Sequence, residues 1–326
     1  MSENLLQVSN LSVHFAGRQS WFKPRTPPVR AVDEVSFAVA RREILGMVGE
    51  SGSGKSTLAR AILRLINATA GSVRFDGVEL LGLNARALKG VRQRMQVIFQ
   101  DPYASLNPRM TAGENIAEGL LLLGGVARAT RVQAVADLLS QVGLPAEAAD
   151  RYPHEFSGGQ RQRIGIARAL AVQPSLILAD EPVSALDMSI QAQILNLLLD
   201  QQEKRGLALL FIGHDLSVIR HFCDRIMVLY RGRIVEIGPT ESVFVNTRHP
   251  YTRALIDSAP VTHPQLRAAR HALVGDPPSP SAGLQGCAFS ARCLYALGAC
   301  RESIPSLRST GQGHFVACIR DDLPAR

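Results

Sequence analysis

Residues 49–57 read Gly49-Glu50-Ser51-Gly52-Ser53-Gly54-Lys55-Ser56-Thr57, which fits the pattern G-x-x-x-x-G-K-[ST]. The glycines allow a tight loop whose backbone N–H groups face a phosphate, and the start of the following helix adds positive potential. Lys55 is expected to reach the β- and γ-phosphates, and the Ser56 hydroxyl is expected to bind Mg²⁺. By itself, the pattern predicts a site for a nucleoside triphosphate and nothing more specific.

The rest of the chain alternates between strand patterns and helix patterns. Strands are predicted at Leu5–Phe15, Val29–Val39, Ile44–Val48, Val97–Phe99, Leu176–Ala179, Leu207–Ile212, Arg225–Tyr230 and Arg233–Ile237. Helices are predicted at Lys55–Ile66, Arg161–Ala171 and around Ile190–Glu203, and a hairpin at Gly71–Leu80 turns at Asp76-Gly77. The alternation predicts an α/β fold of the P-loop NTPase type with a mainly parallel sheet core, interrupted by a mostly helical insertion at about 101–173.

Two acids follow the apolar strand that begins at Leu176. Asp180 is expected to hold Mg²⁺ through water, because a carboxylate at the carboxyl end of such a strand is well placed for it. Glu181 can polarise an attacking water as a general base. The alternative is an acidic pair that only caps a strand at the surface.

A second candidate anion site lies at Ser157-Gly158-Gly159-Gln160, which follows Phe156 and precedes a helix. Serine and glycine expose backbone N–H groups at a helix start, where an anion binds well. Two phosphate-binding helix starts in one chain are unusual for a single nucleotide. They are explained if each nucleotide lies between two subunits.

Together these motifs resemble the nucleotide-binding domain of ABC transporters, whose signature is normally Leu-Ser-Gly-Gly-Gln; here Phe156 replaces the leucine. The resemblance implies a parallel core with an antiparallel β subdomain and an inserted helical subdomain. It also implies ATP and Mg²⁺ as ligands, and a head-to-tail dimer in which Lys55 of one subunit faces Ser157 of the other.

The same resemblance implies roles for four more residues. Gln100 would contact Mg²⁺, together with Ser56 and Asp180, and sense the membrane partner. Asp187 would belong to the D-loop and His214 would contact the γ-phosphate, beside Glu181 as the expected base. Phe15 would stack on adenine, although the insertion at 16–28, which contains Trp21, offers other candidates.

A closer resemblance, to the ATPases of oligopeptide and dipeptide importers, is carried by residues 98–110, 151–160 and 249–255. The chain is most similar to the second of their two non-identical ATPase subunits. This implies a paralogous ATPase partner in a heterodimer, or else a homodimer, with two membrane permeases and an extracytoplasmic substrate-binding protein. DNA-repair ABC ATPases carry a long coiled coil, and translation-linked ones carry two cassettes; neither feature is found in this sequence.

Composition agrees with a peripheral protein that binds an anion. The 326 residues carry a net charge of +8, which suits an anionic ligand or an anionic membrane surface. Aromatic residues make up only 5%, which does not favour a nucleic-acid reader built on base stacking. No apolar stretch approaches the roughly 20 residues of a membrane span. The expected location is the cytoplasmic face of the bacterial inner membrane.

The composition changes after Phe244, so the predicted domains are 1–244 and a C-terminal extension at 245–326 with a linker at 276–281. The extension holds four of the five cysteines: Cys287, Cys293, Cys300 and Cys318. In a cytoplasmic chain such a group indicates metal more than disulfides. It resembles the extension of these importer subunits, some of which hold a [4Fe–4S] cluster; zinc and plain thiols remain alternatives. Cys223 lies apart and is predicted to be a buried apolar residue.

Two other functions stay open from the sequence. The extension could be a redox-sensing interaction module that ATP merely regulates. The importer could instead carry another cargo, such as nickel, opines or sugars, because cargo is chosen by the permeases and the binding protein.

Overall fold

The computed structural model describes residues 4–17, 27–122, 128–258 and 285–322. Trp21 of the predicted insertion and the predicted linker at 276–281 lie outside the described residues. Among the residues described, no helix is both long enough and apolar enough to cross a membrane.

The chain divides into two compact units. The first unit contains the described residues of Met1–Leu5, Val39–Glu43 and Phe75–Ile212. The second unit contains those of Leu6–Ala38, Ile44–Arg74 and Gly213–Arg326. The predicted domain boundary at 244/245 falls within the second unit and stays a prediction.

The regular elements follow the predicted alternation. The strands are β1 (Asn4–Phe15), β2 (Val29–Ala40), β3 (Ile44–Val48), β4 (Ala70–Phe75), β5 (Val78–Glu79), β6 (Met95–Ile98), β7 (Leu176–Asp180), β8 (Ala208–Ile212), β9 (Arg225–Tyr230), β10 (Arg233–Pro239), β11 (Arg308–Gly311) and β12 (His314–Val316). The helices are α1 (Lys55–Ile62), α2 (Ala85–Arg94), α3 (Pro102–Ser105), α4 (Ala112–Leu122), α5 (Arg128–Gln141), α6 (Gly158–Leu170), α7 (Met188–Arg205), α8 (Leu216–Phe222), α9 (Thr240–Val245) and α10 (Pro250–Ser258). Helices α3–α6 between β6 and β7 form the predicted helical insertion.

The first unit contains a parallel sheet in the order β8-β7-β6. All five residues of β7 and of β8 are buried, because helices cover both faces of a parallel sheet. The carboxyl end of β7 carries Asp180, so the sheet fixes where the predicted acidic pair begins.

The second unit contains strands in the order β11-β12-β10-β9-β3, with β3 parallel to β9 and the remaining pairs antiparallel. Strands β2, β1 and β4 lie side by side in another sheet. Strand β3 is wholly buried and leads directly into the predicted phosphate loop.

Helix α1 is shorter than the sequence predicts. It ends at Ile62, and Arg64 adopts a left-handed φ of 54° that stops the helical run. Leu65, which lies inside the predicted helix Lys55–Ile66, therefore falls outside α1 and is 49% exposed. The apolar periodicity continued past the residue at which the backbone turns.

A buried carboxylate fastens the C-terminal strands to β10. Glu236 is fully buried and accepts hydrogen bonds from the main-chain N–H groups of Arg248 (2.7 Å) and His249 (3.1 Å). Its carboxylate also lies 2.9 Å from Nε2 of His314, at the start of β12. The Glu236 side chain thus ties the chain after β10 to that strand, in addition to the backbone pairing of β12 with β10.

We expect Glu236→Ala to lower the free energy of unfolding by about 3–5 kcal/mol, because it leaves buried partners of a carboxylate unsatisfied. Glu241→Ala is the matched control: its carboxylate is exposed and pairs with Arg220 at 2.8 Å, so the cost should be about 0–1 kcal/mol. Urea unfolding followed by circular dichroism measures both. Equal midpoints for the two variants would contradict the assignment.

Candidate functional site

The predicted phosphate loop lies between β3 and α1 in the second unit, as the sequence requires. Its close packing depends on Gly54, whose φ is +105°. A Cβ at that position would lie 2.2 Å from the carbonyl oxygen of Ala31. Only glycine fits there, because both the backbone conformation and the neighbouring carbonyl exclude a side chain.

Lys55 is held by the loop itself. The side chain is only 7% exposed, and its Nζ donates to the carbonyl oxygens of Gly49 (2.7 Å) and Glu50 (3.0 Å). The hydroxyl of Ser53 is also buried and has no hydrogen-bond partner. A buried ammonium beside an unsatisfied hydroxyl suits a polyanion, which can accept hydrogen bonds from both. The loop therefore fits the phosphates that the sequence predicts for it.

Sequence reasoning missed two residues that hold this loop from the C-terminal side. The hydroxyl of Tyr251 accepts a hydrogen bond from the main-chain N–H of Glu50 at 2.8 Å, and burial raises the pKa of Tyr251. Arg292 forms an ion pair with the Glu50 side chain. Both lie near residues that the sequence singled out, 249–255 and Cys293, but no local pattern connects them to residue 50.

Two other predicted residues of the second unit are exposed. Phe15 is the last residue of β1 and its side chain is 46% exposed, so its ring is open to a ligand. His214 is exposed and precedes α8, whose N-cap is Asp215. The roles of Phe15 and His214 stay predictions.

Glu181 follows β7 in a strained backbone conformation. Its φ is +48°, a left-handed value that is uncommon outside glycine and that often marks functional positions. Three hydrogen bonds hold it there: its N–H donates to the Ile212 carbonyl (3.0 Å), and its own carbonyl accepts from the hydroxyl and N–H of Ser184 (3.1 and 3.3 Å). The side-chain amide of Gln100 donates a hydrogen bond to Oε2 of Glu181 at 2.8 Å.

The structure therefore brings Gln100 and Glu181 together within the first unit. Asp180, immediately before Glu181, is buried at the end of β7. The pairing fixes one carboxylate oxygen of Glu181 and leaves the group in a position set by both backbone and side-chain contacts. Ser56, the third predicted Mg²⁺ ligand, belongs to the second unit.

The predicted second anion site is a capped helix start. Ser157 is the N-cap of α6: its hydroxyl accepts from the N–H of Gln160 at 3.3 Å, and the Gln160 side chain accepts from the N–H of Ser157 at 3.0 Å. A Cβ at Gly159 would lie 2.5 Å from the Ile190 side chain, which explains the glycine. Gly158 is the first residue of α6, and Phe156 is buried before it. Asp187 is the N-cap of α7.

The four clustered cysteines line one small cavity in the second unit, together with His249 and Phe289. All are free thiols, and burial raises the pKa of Cys287 to about 11 and raises those of Cys293 and Cys318. Within the described ranges no three His, Cys, Asp or Glu side chains form a group ready to hold a metal ion.

His249 completes this cavity, which is rich in sulfur. Burial lowers its pKa to about 3, so the ring is neutral at pH 7. Its Nδ1 accepts from the N–H of Tyr251 at 3.1 Å, which places the ring proton on Nε2. Cys223 lies apart, buried after α8, as the sequence predicts.

Comparison with known protein families identifies two regions. Residues 32–184 match the ABC transporter family model, and residues 235–300 match the model for the oligopeptide/dipeptide transporter C-terminal region. The second match covers Arg292 and three of the four clustered cysteines.

The chain is also similar to curated proteins over nearly its full length. It is 51% identical over 319 residues to a candidate peptide import ATP-binding protein of Brucella ovis, covering 98% of each chain. It is 44% identical over 329 residues to the dipeptide transport ATP-binding protein DppF of Escherichia coli K12, covering 100% of this chain and 98% of that protein.

Among solved structures, it resembles a dimeric ATP-binding cassette in a post-hydrolysis state bound to ADP and Pi. The TM-score is 0.65 at 30% identity, and the match covers 72% of this chain and 98% of the other. The α/β architecture predicted from the sequence is confirmed by this likeness.

We expect Gly54→Ala to lower the free energy of unfolding by about 2–4 kcal/mol, from backbone strain and a clash with the Ala31 carbonyl. Gly52→Ala is the control, since Gly52 has a φ of +76° but no atom within 4 Å of an added Cβ. Gly52→Ala should lower the free energy of unfolding by about 1–2 kcal/mol, from backbone strain alone. Differential scanning calorimetry compares the two, and an equal loss in both would refute the close-packing argument.

Proposed function

The chain belongs to the family of ABC transporter ATP-binding proteins, and on this premise we propose that it hydrolyses ATP to energise an importer of di- and oligopeptides. The observation that carries the proposal is the phosphate loop after β3, in which Lys55 is buried and the buried Ser53 hydroxyl has no hydrogen-bond partner. Peptide cargo is supported by the matched C-terminal region and by relatives named for peptide and dipeptide transport.

In this proposal the loop from Gly49 to Thr57 binds the phosphates of ATP. Its backbone N–H groups and the Lys55 ammonium neutralise their charge, and Phe15 stacks on the adenine. Residues 1–244 form the nucleotide-binding domain and 245–326 the extension. Ser56, Gln100 and Asp180 would hold Mg²⁺, which would supply positive charge that stabilises the negative charge developing during hydrolysis.

Glu181 acts as the general base. Its carboxylate takes a proton from the attacking water, and the hydrogen bond from Gln100 holds one of its two oxygens in place. His214 stabilises charge on the γ-phosphate. The left-handed backbone at Glu181 supports this role, because strain is retained where it orients a reacting group.

Two subunits are needed for one complete site. The capped helix start at Ser157–Gln160 would approach the γ-phosphate bound by a partner ATPase, a paralogue or a second copy, with Asp187 at the interface. A dimeric cassette among similar solved structures supports this arrangement. ATP-driven closure would act on two permease subunits near the Gln100 segment, at the cytoplasmic face of the bacterial inner membrane, with cargo delivered by an extracytoplasmic binding protein.

We also keep the [4Fe–4S] cluster as a proposal for Cys287, Cys293, Cys300 and Cys318. All four line the same cavity, and four thiolates are the ligand number that such a cluster requires, although the described side chains are not drawn together as a metal-holding group. The raised thiol pKa values mean that a metal must displace protons to bind there. Zinc, which also takes four thiolates, is the alternative occupant.

We expect Glu181→Gln to lower ATP turnover by about 10²–10⁴-fold, the usual contribution of a general base, while MgATP still binds. Phosphate release measures turnover, and isothermal titration measures binding. Glu203→Gln, an exposed glutamate on α7, is the control and should behave as wild type. Cells that carry only the Glu181→Gln protein should also fail to take up labelled di- and oligopeptides.

Two results would contradict the proposed function. Turnover in Glu181→Gln equal to wild type would remove Glu181 as the base. Peptide uptake unchanged in a strain that lacks this chain would remove the cargo assignment.

For the cysteine site, protein purified without oxygen should contain iron and sulfide in equal amounts. Cys293→Ser should lose them, because three thiolates hold the cluster less tightly. Cys223→Ser, which alters a buried thiol outside the cavity, should retain both. Elemental analysis and absorption spectra provide the measurement, and wild-type protein with neither iron nor zinc would remove the metal proposal.

A further inference from the structure

In the C-terminal segment, residues 285–322, Arg292 forms an ion pair with the phosphate loop. Nη1 of Arg292 lies 2.7 Å from Oε2 of Glu50, and Nη2 lies 3.0 Å from Oε1. This is a two-pronged ion pair, the geometry in which a guanidinium binds a carboxylate most specifically. The Arg292 side chain is 5% exposed and that of Glu50 is 24% exposed, so solvent screens the pair only in part.

Aromatic rings fix the orientation of the guanidinium. Tyr230, Tyr251 and Phe289 form an aromatic cluster with ring centroids 4.5–5.3 Å apart. The Arg292 guanidinium lies 5.9 Å from the Tyr230 ring and 6.0 Å from the Phe289 ring, and its Nη1 donates to the Tyr230 hydroxyl at 3.3 Å. Arg292 is therefore a packed group with one set position, and the hydrogen bond to Glu50 raises its pKa.

Glu50 connects Arg292 to Lys55 through hydrogen bonds. Its side chain is held by Arg292 and its N–H by the Tyr251 hydroxyl, while its carbonyl accepts from Nζ of Lys55 at 3.0 Å and from the N–H of Ser53 at 3.1 Å. A shift of the Glu50 peptide would move one of the two carbonyls that hold the Lys55 ammonium. The contacts form a continuous chain from the C-terminal segment to the predicted phosphate ligand.

The charge of Glu50 adds a second reason for the pair. A carboxylate one residue into a phosphate-binding loop would repel the phosphates if it were not neutralised. Arg292 both neutralises this charge and keeps the carboxylate turned onto the guanidinium. Losing Arg292 should therefore do more harm than losing both members of the pair.

We propose that Arg292 is a positioning residue for ATP binding, which holds Glu50 so that the C-terminal segment completes the phosphate loop. The inference rests on the proposed function of the loop as the ATP site. Arg292 does not touch the nucleotide; it acts through Glu50.

The test measures MgATP affinity and turnover of the full-length chain for four proteins: wild type, Arg292→Ala, Arg292→Lys, and the double variant Arg292→Ala/Glu50→Gln. Arg292→Ala should weaken MgATP binding by about tenfold and change kcat by less than about threefold, because the lost interaction concerns binding. The MgATP affinity of Arg292→Lys should lie between those of wild type and Arg292→Ala, since lysine keeps the charge but not the paired hydrogen bonds. The double variant should recover only part of the lost affinity, because Glu50→Gln removes the unpaired carboxylate while the Glu50 peptide is still no longer held by Arg292.

Arg220→Ala is the matched control. Arg220 also pairs with a glutamate in the second unit, Glu241 at 2.8 Å, and it should leave MgATP affinity unchanged. Thermal melting of every variant separates a loss of affinity from a loss of fold. If Arg292→Ala does not fold, Arg292→Lys and Glu50→Gln alone still test the pair.

Lys55→Ala separates failure of this inference from failure of the proposed function. Wild-type MgATP binding in Lys55→Ala would overturn the proposed ATP site itself. If Lys55→Ala abolishes binding while Arg292→Ala binds as wild type, the ATP site stands and the inference is wrong. A double variant that binds MgATP as tightly as wild type would also overturn it, because Arg292 would then only neutralise the charge of Glu50 and would not position it.

Discussion

The ammonium of Lys55, held by two carbonyl oxygens of its own loop, is the interaction on which the proposed site depends. A buried charge is costly unless its hydrogen bonds are made, so the backbone must bring these carbonyls inward. Glycine at position 54 permits that curvature, and wholly buried β3 fixes where the loop begins. These contacts within the loop define its conformation, and a loop constrained in this way loses little freedom when it binds an anion.

The two compact units hold their predicted site residues in place in different ways. In the second unit, glycines and a buried lysine shape the proposed phosphate loop. In the first unit, a non-glycine residue, Glu181, is kept in a left-handed conformation by hydrogen bonds to Ile212 and Ser184. Such strain persists only where neighbours over-determine it. The surrounding parallel strands, buried along their whole length, supply that rigidity.

Features with a local signature could be predicted from the sequence. Strand β3, the phosphate loop and the helix start at Ser157 each combine hydrophobic pattern with glycine or serine at fixed offsets, and all three occur where expected. The predicted end of α1 was wrong, because the left-handed backbone conformation at Arg64 ends the helix although the apolar spacing continues to Leu65. The pairing of Gln100 with Glu181 and that of Glu50 with Arg292 join residues distant in sequence. No short pattern encodes such pairs; only the folded chain brings them together.

The separation of Glu50 from Arg292 has a consequence for how the protein is made. The two residues are 242 positions apart, so the loop leaves the ribosome long before its arginine exists. At about 5–20 residues per second, that interval is on the order of tens of seconds. During it, the nascent second unit carries a carboxylate beside the lysine loop with no guanidinium to receive it. With the role proposed for Arg292, the phosphate loop is thus a late product of translation, finished only when synthesis has passed residue 292.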